Sequence, residues 1–203
     1  MPLARKILND TEQKTIMLTA AVRATSMAGR RAELICDVLL NSGLRATELC
    51  NLRIQDTPCH LGGKFIEIKG KGGVVRPISI PDRLTARIAE YIRTDRASSL
   101  PRHVKKDDVS RALFYNRNRK PYTRFGIYWI IAATARAAGI RRLISPHMFR
   151  HTYITNALDR GITSSQVQMM AGHSDPKIMQ RYTHLLPSRI ADIGNKIDRT
   201  FSL

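Results

Sequence analysis

The sequence predicts a mainly α-helical chain with one small antiparallel β-hairpin sheet, and three observations carry that expectation. Helix starts marked by Ser, Thr or Asp recur along the chain, and glycines stand where the helices should stop: Gly43, Gly139, Gly161 and Gly172. A pair of β-branched and aromatic runs, 64–68 and 74–80, flanks the glycine-rich segment Lys69-Gly70-Lys71-Gly72-Gly73, which is the pattern of a hairpin. With 203 residues, 43% of them hydrophobic, the chain is long enough for one well-buried core, or one domain with a small appendage.

In chain order, Asp10 or Thr11 can cap a first helix reaching about Ala24, and the polar stretch Ser26 to Arg31 reads as a loop. Leu34, Ile35, Val38, Leu39 and Leu40 make a buried helix that Gly43 ends in a left-handed conformation. In the following Gly-Leu-Arg-Ala-Thr-Glu-Leu segment, Arg45 and Glu48 stand one helical turn apart and reach the same point; taken alone, a surface salt bridge is the favoured explanation. The hairpin presents Lys71 at its tip, and Pro77 places its strand at a sheet edge. Pro81, Asp82, Leu84, Ile88 and Ile92 start an amphipathic helix whose Arg83, Arg87 and Arg93 are assigned mostly to solvent. Residues 98–110 read as a loop with an exposed His103, 113–115 as a short strand, and 116–120 as a basic turn. Thr123 caps a helix running to Ala138, with Gly139 as its stop; Tyr128 and Trp129 are assigned to the core rather than to base stacking.

The stretch 145–184 is the most informative. Ser145 and Pro146 start a helix on which His147 and Arg150 share a face, and Gly161 ends it. Thr163 and Gln166 have capping-box spacing, so a second helix runs to Ala171 before Gly172, with His173 directly after the stop. Asp175 and Pro176 start a third, which carries Tyr182. Ile190, Ile193, Ile197 and Phe201 then recur at helical spacing, and this terminal stripe either folds onto its own domain or docks on a neighbouring subunit.

Charge narrows the partners. A formal net charge of +18 and a pI near 10.6 create a field that attracts phosphate backbones and make nucleic acid the leading partner, which the family resemblance given below narrows to double-stranded DNA. No apolar run approaches the roughly 20 residues a spanning helix needs, and the start lacks a signal-peptide core, so a cytoplasmic, nucleoid-associated protein without membrane partners is expected. Cys36, Cys50 and Cys59 are an odd set lacking a C-x-x-C pair; they fit a reducing compartment, with Cys36 and Cys50 as core fillers.

Arg45, Lys71, His147, Arg150, His173 and Tyr182 together suit phosphoryl transfer. Two guanidiniums and an imidazole N–H stabilise charge on non-bridging oxygens; a tyrosine hydroxyl attacks phosphorus; a lysine protonates the departing sugar oxygen; a histidine handles the tyrosine's proton. The covalent step keeps the phosphodiester energy for rejoining, so no cofactor and no metal are expected. Zinc at His147 and His151 is set aside, because the segment has no catalytic glutamate and holds Arg150 between them; His151 is read as a supporting or core histidine.

In order, G-L-R-A-T-E-L, the lysine hairpin, H-M-F-R-H-T, A-G-H-S and R-Y-T-H resemble the boxes of the tyrosine recombinase, or phage integrase, family over nearly the whole chain. The resemblance implies a mainly α catalytic domain with a small β-hairpin sheet spanning 1–203. It implies DNA strand cleavage through a 3′-phosphotyrosyl link and strand exchange by a homotetramer through a Holliday junction, with accessory DNA-bending proteins as further partners. Carried over, Arg45 and Arg150 clamp the scissile phosphate, His173 hydrogen-bonds it, Lys71 is the general acid, His147 serves Tyr182, and Glu48 braces Arg45. Residues 187–203 form a tail exchanged between protomers. About forty residues precede Arg45, so the family's helical core-binding domain is expected to be absent, as in short recombinases that invert promoter segments or in a fragment of a longer integrase. Ala171 stands where leucine is usual before G-H-S. The competing expectation is a non-catalytic DNA-binding protein or a helix-turn-helix regulator built on 163–185.

Overall fold

The structure, a computed structural model, describes residues 7–70, 73, 75–101, 105 and 108–172. Nine α-helices are present among them: α1 (Asp10–Val22), α2 (Met27–Ser42), α3 (Ala46–Asn51), α4 (Pro58–Leu61), α5 (Asp82–Tyr91), α6 (Ala97–Ser99), α7 (Arg124–Ala137), α8 (Pro146–Asp159) and α9 (Ser164–Ala171). Strands β1 (Phe65–Lys69) and β2 (Val75–Ser79) form one two-stranded antiparallel sheet, in register from Phe65 opposite Ser79 to Lys69 opposite Val75. Alternation directs Ile66, Ile68, Arg76 and Ile78 into the protein. Pro77, opposite Glu67, is tolerated because a two-stranded sheet consists only of edge strands.

The core is built around α2, whose Leu34, Ile35, Val38, Leu39 and Leu40 are all buried and which packs against α1, α5, α7 and α8. Gly43 ends α2 with φ +62, and a Cβ there would lie 2.3 Å from the Tyr153 ring of α8. Glycine is therefore required twice, by the left-handed turn and by the close approach of the two helices. Leu44 and Leu49, both fully buried, sink the two ends of the following segment and leave Arg45 between them at the surface. The start of α1 supports α8: the Leu8 amide donates to Thr152 Oγ1 at 2.8 Å, and Asn156 Nδ2 donates to Gln13 Oε1 at 2.9 Å.

Several expectations change. Residues 26–31 are not a loop: Ser26 caps α2 by accepting from the Gly29 amide, and Gly29 has no Cβ to collide with the Arg23 carbonyl. Asn9, rather than Asp10 or Thr11, caps α1, forming a capping box with Glu12. Residues 113–115 do not form a strand: Leu113 and Phe114 lie between the isolated bridges Arg53–Ala112 and Tyr115–Pro121, the second of which Tyr115 itself makes. Arg83 and Arg87 are not solvent cations: both pair with Asp37, a fully buried carboxylate on α2, and Arg87 also reaches Glu33. Trp129 is 69% exposed, because Ile127, Ile131 and Ala135 already form the core face of α7 and Trp129 falls on the opposite side. Cys36 is buried, with its thiol pushed up to about 12 by burial, Cys50 is half-buried, and Cys59 is exposed. No helix among the described residues is long and apolar enough to cross a membrane.

Candidate active site

Of the eight residues singled out from the sequence, Arg45, Glu48, His147, Arg150 and His151 lie in the described structure; Lys71, His173 and Tyr182 lie outside the described residues. His103, the third helix from Asp175, the stripe 190–201 and all of the 163–185 helix pair beyond Gly172 also lie outside them.

Arg45 is the N-cap position of α3, and its placement comes from Glu48. The Glu48 carboxylate accepts from the Arg45 backbone amide through Oε2 at 2.8 Å and from Arg45 Nη1 through Oε1 at 2.8 Å. This is not the surface salt bridge that the pair suggests in isolation. The Glu48 side chain is only 10% exposed, and its Oε1 also accepts from Arg76 Nη2 at 2.8 Å. Burial by itself would raise the Glu48 carboxyl; the Arg45 amide and the Arg76 charge outweigh it and hold Glu48 below the usual carboxylate range. Arg45 keeps 42% of its side chain exposed, so a guanidinium braced on one side remains open to an anion on the other.

Arg150 comes from the first turns of α8. Its residue is 3% exposed, and it donates from Nη1 to the Gly43 carbonyl at 2.7 Å and from Nη2 to the Ala171 carbonyl. Burial, followed by repulsion from Arg45, lowers its pKa to about 10, which leaves it charged at neutral pH. Arg45 Nη2 donates to the Gly172 carbonyl at 3.3 Å. Both arginines thus meet the carbonyl end of α9, where helix carbonyls lack intrahelical donors and the dipole favours cations. Gly172 ends that helix with φ +62.

Arg45, Ala46, Arg124, Phe125, Tyr128, Ser145, Pro146, His147 and Arg150 line one open cleft of about 420 Å³. His147 is exposed at its rim, and its ring meets that of His151 edge to face with centroids 4.7 Å apart. Among the described residues no group of three or more metal-ligating side chains comes together. Arg45, Arg150 and His147 bring guanidinium and imidazole donors to this cleft, groups that can bind an oxyanion.

Arg76 was not singled out from the sequence. It is 3% exposed on β2, bonded to Glu48 and, through Nε at 3.0 Å, to the Met170 carbonyl of α9. The available signal was its strand position, two residues from the inward-facing Ile78, where an arginine must find a buried partner. Tyr128 and Phe125 at the cleft were likewise not expected there.

The chain matches the phage integrase family over residues 6–189. It is 32% identical over 184 residues to tyrosine recombinase XerD of Staphylococcus haemolyticus (strain JCSC1435), covering 91% of this chain and 60% of that protein. It is 32% identical over 189 residues to tyrosine recombinase XerD of Listeria monocytogenes serotype 4b (strain F2365), covering 93% and 61%. In structure it resembles XerA recombinase (TM-score 0.67, 26% identity, 92% of this chain and 63% of that one). It also resembles XerH site-specific recombinase bound to difH substrate in a pre-cleavage complex (TM-score 0.70, 25% identity, 92% and 53%). The chain spans about three fifths of the length of the curated relatives it matches. A family match over nearly all of the sequence, a mainly helical fold with one hairpin, and two arginines gathered at one helix end agree: this chain belongs to the phage integrase family.

Proposed function

We propose that this chain carries out site-specific DNA recombination by tyrosine-mediated strand cleavage and rejoining. The observation that carries the reading is the convergence of Arg45 and Arg150 on the end of α9, beside His147 in one cleft. Arg45 and Arg150 clamp the scissile phosphate, whose developing charge their fixed donors stabilise. The Tyr182 hydroxyl attacks phosphorus and gives up its proton to His147; the phosphorus–O5′ bond breaks, and Lys71 protonates the departing oxygen. The products are a 3′-phosphotyrosyl link and a free 5′-hydroxyl, and attack by a second 5′-hydroxyl reverses the step on a new strand. His173 hydrogen-bonds the same phosphate, Glu48 braces Arg45, and His151 supports His147 through their ring contact. Because the bond energy stays in the phosphotyrosyl link, the cycle consumes no nucleotide, and the charge a metal would otherwise stabilise falls to Arg45, Arg150 and His173.

The wider reading is that residues 1–203 act as one catalytic domain on double-stranded DNA, that four protomers exchange strands through a Holliday junction with accessory DNA-bending proteins, and that 187–203 pass between protomers. The net charge of +18 supports the DNA partner and a nucleoid-associated protein.

A suicide-substrate assay tests the chemistry. Wild type and Tyr182→Phe are incubated, without metal, with nicked duplexes tiled across the flanking genomic DNA, and denaturation-resistant protein–DNA adducts are scored. An adduct confined to wild type is expected. Equal adducts from both would remove Tyr182 from its role, and none from wild type on a duplex it binds would favour a non-catalytic DNA-binding protein.

A further inference from the structure

We infer that Arg76 is a positioning residue for the phosphate clamp, acting through Glu48 on Arg45 and through the end of α9; this rests on the strand-transfer reading above. One guanidinium links three elements. It leaves β2, donates to Glu48 Oε1 of α3 at 2.8 Å and to the Met170 carbonyl of α9 at 3.0 Å, and lies against Gly172, where any Cβ would be 2.6 Å from its Cζ.

The energetics favour a site-specific purpose over simple cohesion. Arg45, Arg76 and Arg150 surround a single carboxylate, so the cluster carries an excess of positive charge. A buried pair of this kind is a poor source of stability, since apolar side chains of similar volume do as well or better. What it does supply is geometry. Glu48 Oε1 is shared between the exposed Arg45 and the buried Arg76, and the planar fork of Arg76 reaches the Met170 carbonyl at the same time. Arg45 in turn holds the Gly172 carbonyl, which closes a loop of contacts from α3 through β2 to α9 and back. Without Arg76, Glu48 swings with Arg45 toward water and the end of α9 loses one of its tethers. Arg76 itself, 3% exposed and absent from the cleft lining, touches no substrate.

The test compares cleavage of two duplexes, one with an ordinary scissile phosphodiester and one with a methylphosphonate at that linkage, in which a methyl replaces a non-bridging oxygen and removes its charge. A clamp matters less when there is less charge to stabilise. Arg76→Gln is expected to slow phosphotyrosyl formation roughly a hundred-fold on the phosphodiester, the usual penalty for a small misplacement, and only a few-fold relative to wild type on the methylphosphonate. Arg76→Gln combined with Glu48→Gln is expected to be no slower than the worse single variant, because both act on one path. Arg76→Lys keeps the charge against Glu48 without the second reach, so it reports the same pattern in weaker form if the glutamine variant fails to fold. Equal deficits on both duplexes, additive losses in the double variant, or wild-type rates in Arg76→Lys and Arg76→Gln would overturn the inference while leaving strand transfer intact. No adduct from wild type on either duplex overturns the strand-transfer reading, and the inference falls with it.

Discussion

Arg76 and Gly172 are fitted to one another: the guanidinium fills the space where a side chain at Gly172 would begin, 2.6 Å from the Arg76 Cζ. Gly172 also holds φ +62, which costs an L-residue about 1–2 kcal/mol. Gly172→Ala is therefore expected to destabilise the protein by at least that amount and to lower its melting temperature. A calorimetric scan unchanged from wild type would show that neither the left-handed backbone nor the Arg76 contact requires glycine at this position.

Arg45→Ala and Arg150→Ala remove donors aimed at developing charge, worth roughly 3–4 kcal/mol, or about a hundred- to a thousand-fold in cleavage rate. The two should differ in stability. Arg45 is half in water, whereas loss of Arg150 leaves the buried Gly43 and Ala171 carbonyls without their donor, so Arg150→Ala should also unfold at lower urea. Unchanged cleavage by either variant would remove it from the clamp.

Glu48 links the clamp to pH. Its folded-state pKa lies below the ordinary 4.5, so it contributes stability that is fully present above about pH 4.5 and lost as pH falls through the folded value. Glu48→Gln should be less stable than wild type at pH 7, with the gap closing in more acidic buffer. A gap that stayed constant from pH 7 to the acid limit of folding would mean that the carboxylate charge is not what holds Arg45 and Arg76.

Asp37 is a further buried carboxylate, fully enclosed on α2 and held by Arg83, Arg87 and Asn41. Asp37→Asn is expected to cost roughly 2–3 kcal/mol in urea unfolding, less than a sealed pair because both arginine side chains remain about a third exposed. Since Asp37, Arg83 and Arg87 do not line the cleft, the cleavage rate of the folded fraction should stay near wild type. A selective loss of rate would show that α2 transmits strain to Gly43 and Arg150.

DNA affinity should fall steeply with salt, because each neutralised phosphate releases counterions. A filter-binding series between about 50 and 200 mM salt checks this; a flat response would contradict the role assigned to the +18 charge.

Local rules in the sequence were enough for most of the long helices, the two hairpin strands and several of the caps and stops, though not for the start of α2, the cap of α1 or the short α4 and α6. Gly43, Gly139, Gly161 and Gly172 all take positive φ, Thr123 and Thr163 cap where expected, and the Arg45–Glu48 contact follows from helical spacing. These features depend on a few neighbouring residues, so periodicity and capping chemistry suffice. What the sequence could not say was which side of a surface each polar group would occupy. Arg83 and Arg87 looked like solvent cations until α5 packed against α2 and met a buried Asp37, and Trp129 looked like core until α7 turned another face inward. Arg76 is the sharpest case. Its partners are 28 and 94 residues away in the chain, on α3 and α9, and only the packing of the hairpin between them turns an arginine in a strand into a link between the parts of one site.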